Sequence, residues 1–117
     1  MHLQLPYKET ELAVQAKKLL HSCYALTQSL PEGERNNLTE VLRRSVLMAY
    51  MDICRGAMAK KERQRKAYKR AGQALVVVDA ALECIRTVGL ASAPELNDVS
   101  YLLISVYNLL KKEGKNA

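Results

Sequence analysis

Between Arg55 and Arg70 the chain carries Arg55, Lys60, Lys61, Arg63, Arg65, Lys66, Lys69 and Arg70 against a single carboxylate, Glu62. The formal charge of the whole chain is +6. This one segment therefore holds the entire positive excess, and the remainder is close to neutral. Lysine and arginine at this density suit contacts to phosphate oxygens, which release counterions without reading bases. RNA or DNA is the expected partner, and an acidic protein surface is the alternative. Membrane binding is disfavoured because no long apolar face accompanies the charges. Tyr68 is the only aromatic in the run, so base stacking has thin support. Arg43 and Arg44, on the outer side of the preceding helix, are possible additional basic contacts, though a solvated face explains them equally well.

Other residue types that do chemistry do not assemble. His2 and His21 are the only histidines. His21 falls opposite the apolar stripe of its helix, and its neighbour Ser22 cannot face it. Cys23, Cys54 and Cys84 are odd in number and widely spaced, which fits neither a metal site nor a disulfide framework. No glycine-rich phosphate loop and no nucleophile–base pair appears. Asp52 lies near the edge of a core face, where pairing with Arg55 one turn on is the expected arrangement. Asp79, Glu83 and Arg86 read as an ordinary helical charge cluster. The expectation is a non-enzymatic protein with no catalytic residue, no metal and no cofactor.

The elements that position the basic run follow from periodicity. The chain is 117 residues with 49% hydrophobic and 26% charged residues, a composition of one globular domain spanning residues 1–117. With no Trp and no Phe, the core must come from Leu, Val, Ile, Ala and Met. Apolar residues recur at spacings of three and four in four segments, predicting helices at about 8–29, 37–58, 61–88 and 94–112. Their stripes are Leu12, Ala16, Leu19, Cys23, Leu26 and Leu30; then Leu38, Val41, Leu42, Ser45, Ala49, Ile53 and Gly56; then Ala67, Ala71, Ala74, Leu75, Val78, Ala81, Leu82 and Ile85; then Leu96, Val99, Leu103, Val106 and Leu110. Asn37 with Glu40 has the spacing of a capping box, Gly89 is a natural stop, and Ser92 precedes Pro94 as a helix start. The tail from Glu113 is expected to fray. Short connections between long helices predict an all-α, up-down-up-down antiparallel four-helix bundle. Fusing the second and third segments into one rod would leave too much apolar surface exposed. No signal peptide and no run of about 18 apolar residues is visible, so a cytoplasmic protein is expected.

The second helix carries more apolar surface than its own domain needs. Leu47, Tyr50, Met51 and Cys54 flank or oppose its core stripe, and Val76 and Val77 do the same on the third helix. These six residues predict an oligomer interface. Stability does not account for the basic run, because cations in a first turn oppose the helix dipole by roughly 0.3–1 kcal/mol each. Before Ala67 that helix has no apolar stripe, so its start is expected to project beyond the packed core.

The run Leu30-Pro31-Glu32-Gly33-Glu34-Arg35-Asn36-Asn37-Leu38-Thr39, with Leu42-Arg43-Arg44-Ser45, Ile53-Cys54-Arg55-Gly56 and Gly89-Leu90, resembles the four-helix bundle proteins first named for 23S rRNA intervening sequences. The likeness extends from Glu11 to about Lys112. Members of that family tied to rRNA carry Pro, Asn and an acidic residue where this chain has Tyr50, Asp52 and Arg55. The basic turn before a long third helix is also similar to the accessory variability determinant proteins of diversity-generating retroelements. The resemblance implies a ring-shaped homopentamer that binds nucleic acid through a positive surface and, for the retroelement relatives, a reverse-transcriptase partner.

Overall fold

Thr10 decides where the first long helix begins. Its hydroxyl oxygen accepts the Ala13 N–H at 3.2 Å, capping helix α1, which runs Glu11–Gln28. The predicted start near residue 8 is displaced because Pro6–Glu9 wind into a separate 3₁₀ turn. In the computed structural model, which describes residues 3–115, three more long helices follow: α2 (Leu38–Met58), α3 (Lys61–Val88) and α4 (Ala93–Lys115). His2 lies outside the described residues. The chain is all-α, with no strand among the described residues.

The helix ends are made by local chemistry, in one case by a different residue from the one expected. Asn37 makes no side-chain cap. Glu34 takes that place, its carboxylate accepting Leu38 N–H at 3.4 Å and Asn37 Nδ2 at 2.9 Å. Glu40 turns outward to Arg44, since that pair stays on one helix face at a spacing of four. Gly89 closes α3 in the left-handed region at φ 80°. Its N–H and that of Leu90 return to the carbonyls of Arg86 and Ile85, the paired closure that only a residue without Cβ adopts cheaply. Ser92 and Glu95 form a reciprocal cap at the start of α4. That helix continues through Glu113 to Lys115, with Lys111 and Lys112 in its last turns where the dipole favours cations, and residues 116–117 of the tail lie outside the described residues.

One core cluster draws on all four helices. Every stripe residue predicted for α1 and α4 is buried. Val46, Asp52 and Tyr68 are buried as well, because α2 and α3 pack on neighbours along two sides. The most extensive interface is between α2 and α3, and at its turn end a small residue makes the approach possible, Gly56 on α2 lying against Ala67 and Tyr68 on α3. A Cβ on Gly56 would stand 2.5 Å from Tyr68 Cε1 and 3.3 Å from the Ala67 Cβ. Gly56→Ala should therefore destabilise the fold. Overpacking costs about 1–3 kcal/mol, against a helix-propensity gain of at most about 1 kcal/mol. Urea denaturation measures the difference, and an unchanged midpoint would refute the close approach.

Candidate nucleic-acid interface

Only Ala59 and Lys60 separate α2 from α3. The reversal is held by Gln64, whose Nε2 donates to the Gly56 carbonyl at 3.0 Å. Gln64 thus adds a second donor to a carbonyl that already accepts the Ala59 N–H at 3.1 Å, and it anchors the first turn of α3, which buries nothing before Ala67. Lys61 sits at φ 47°, a left-handed conformation that costs an L-residue roughly 1–2 kcal/mol.

The eight predicted cations divide into two groups. Arg55 and Arg70 both bond the same carboxylate oxygen of Asp52, at 2.9 and 3.3 Å. The Asp52 side chain is 6% exposed, while the two arginines remain more than half exposed. The expected Asp52–Arg55 pair thus gains a second arginine from α3. Arg65 pairs with Glu62 at 2.5 Å on the surface. Lys60, Lys61, Arg63, Lys66 and Lys69 are exposed, and none has a carboxylate within salt-bridge distance among the described residues. Tyr68 is buried, so its ring is not offered to a base.

Arg43 does not lie free on the outer side of α2. Its Nε donates to Thr27 Oγ1 at 2.7 Å and its guanidinium covers the Tyr24 ring at 4.7 Å, fastening α2 to α1. Arg44 is exposed and paired with Glu40 at 3.0 Å. One cation that sequence reasoning missed stands beside the basic run from α4. Lys111 lines one groove with Arg65 and Lys69, whereas Lys112 faces Glu11 and Ser105 on another side of α4. Lys111 lies more than forty residues away in sequence, and only the packing of α4 beside α3 brings it there.

The six apolar candidates also separate. Leu47, Met51, Val76 and Val77 are exposed, joined by Met48. Tyr50 and Cys54 are half-buried, because the N-terminal 3₁₀ turn lies over them. Tyr7 and Tyr50 both lie beside the Cys54 thiol. Burial, then the neighbouring Cys54 thiol, pushes the Tyr50 hydroxyl up to about 12. Val76 lines the α3–α4 groove, apart from the α2 residues.

Burial pushes the Cys23 thiol up to about 12, which leaves it an inert protonated packing group. Among the described residues no three His, Cys, Asp or Glu side chains converge in a metal-binding arrangement, and no helix is long and apolar enough to cross a membrane.

Comparison with protein-family models finds no match, and comparison with curated proteins finds none either.

Proposed function

We propose that this protein is a non-enzymatic cytoplasmic module that grips RNA or DNA by its phosphates through the turn between α2 and α3. The observation that carries the reading is the group of five exposed cations without a carboxylate partner among the described residues, Lys60, Lys61, Arg63, Lys66 and Lys69, at and just beyond the start of a helix that buries nothing before Ala67. Fold stability disfavours those at the helix start. Lys60, Lys61 and Arg63 oppose the α3 dipole, and Lys61 occupies a backbone conformation in which glycine would be cheaper. A site kept at a cost to the fold is the pattern of a functional surface. With Tyr68 buried, contacts run to phosphates and not to bases.

The test is a salt titration of binding to a single-stranded RNA of arbitrary sequence. Log affinity should fall linearly with log salt, with a slope of roughly −0.7 for each phosphate neutralised. No binding at low salt would reject the reading and leave an acidic protein partner for the turn.

The architecture in this proposal is an up-down-up-down antiparallel bundle that assembles as a homo-oligomer. Contacts at Gly56 with Tyr68 and at Asp52 with Arg70 support reversal of α3 on α2. Leu47, Met48 and Met51, between 39% and 53% exposed on neighbouring turns of α2, support self-association, since a flexible methionine-rich face suits a contact surface. Leu47→Glu or Met51→Glu should convert the assembly to monomer with an unchanged helical spectrum. Light scattering reads the mass, and a monomeric parent at high concentration would remove the oligomer from the proposal. The resemblance at Leu30–Thr39 extends it to five copies in a ring, with ribosomal RNA or a reverse transcriptase as the associated machine.

A further inference from the structure

The α3–α4 side of the molecule holds a groove with charge at its two ends and apolar walls between. One cavity of about 480 Å³ is bordered by Arg65, Lys69 and Lys111, with Tyr107 and Leu110 along its wall. A second of about 290 Å³ adjoins it through Val76 and Tyr107 and runs to Leu103, Ile104 and Asp79. Val76 and Ile104 stand 57% and 60% exposed at its rim. From Leu103 to Gly114 the groove follows about 16 Å of α4, three turns of helix.

Gly72 lies in this groove, in the interior of α3. Glycine weakens a helix interior, and at Gly56 the chain itself supplies the reason. At Gly72 it does not. An added Cβ would meet only Leu110 Cδ2, at an ordinary 3.8 Å. The missing side chain deepens the groove without serving any packing need inside the protein.

We infer that this groove is a docking site for an amphipathic helix of a partner protein, with acidic residues clustered at one end. The apolar face lies on Val76, Leu103 and Tyr107, its backbone approaches at Gly72, and its acidic end meets Arg65, Lys69 and Lys111. A nucleic acid does not fit this surface, because it is anionic throughout and Asp79 occupies the far end. A second copy of the chain is not the occupant either: its segments Glu11 to Leu19 and Glu95 to Leu103 bury their apolar stripes in the core, and the exposed Leu47, Met48 and Met51 that follow Glu40 are the face assigned to self-association.

The probe is a synthetic amphipathic peptide of about sixteen residues, enough to span three turns, with leucines at helical spacing and four glutamates at one end. Its twin carries lysines in place of the glutamates. Fluorescence anisotropy with the full chain should show the acidic peptide binding at least roughly tenfold more tightly than the twin. Gly72→Gln should fold normally and lose roughly tenfold in peptide affinity as its side chain fills the groove, while its salt-dependent RNA binding stays as in the parent. Equal binding of the two peptides, or unaltered affinity in Gly72→Gln, would overturn the inference. So would a drop in the mass of the chain's own assembly in Gly72→Gln, which would assign the groove to a second copy.

Discussion

Replacing Lys60, Lys61, Arg63, Lys66 and Lys69 together by alanine should cut RNA affinity about 10²–10⁴-fold near 0.1 M salt while leaving the helices at least as stable. The range follows from the number of phosphates engaged. Every phosphate that the variant no longer neutralises takes roughly 0.7–0.9 from the log–log salt slope, so three to five of them give that spread. The stability sign is opposite because alanine is the better helix former and the substitutions remove cations from the positive end of the α3 dipole. None of the five is buried or bridged to a carboxylate among the described residues, so the core packing is untouched. Affinity and melting temperature should therefore move apart, which separates this outcome from simple unfolding. Parent-like affinity with a parent-like slope would place the nucleic-acid surface elsewhere or nowhere.

The second large effect concerns Asp52. Arg55→Ala with Arg70→Ala should destabilise the fold by about 3–5 kcal/mol, the range found when a buried charge loses its partners. Each single change should cost much less, because the remaining arginine still faces the same oxygen. The asymmetry comes from burial. Asp52 is shielded from water whereas both guanidiniums keep more than half their surface exposed, so removing the cations strands the carboxylate and removing the carboxylate strands nothing. Asp52→Asn in the doubly substituted background should restore most of the stability. Guanidinium denaturation of the parent, the two single variants and the double variant closes the cycle, and the same measurement on the Asp52→Asn protein reads the rescue. A double variant within about 1 kcal/mol of the parent would class these pairs with ordinary surface salt bridges.

Helix existence, and most helix limits, were legible because their signals are local. The stripe from Leu96 to Leu110, the stop at Gly89 and the Ser92 start each depend on residues within one or two turns. Where the reading slipped, a competing local group won: Thr10 over Lys8 as the start of α1, and Glu34 over Asn37 at the start of α2. The break at Ala59 and Lys60 was readable because the apolar stripe stops there and resumes only at Ala67.

The amino-acid order alone thus determined the helices, their buried stripes and the concentration of charge between Arg55 and Arg70, since periodicity and charge density are properties of neighbours along the chain. Tertiary structure decided which charges are available. It committed Arg55 and Arg70 to Asp52 and Arg43 to Thr27, brought Lys111 beside Lys69, and laid Tyr7 over Cys54. Those assignments join helices that are far apart in sequence. A charge's availability depends on what shields it and how near its partner stands, and neither is set until the helices meet.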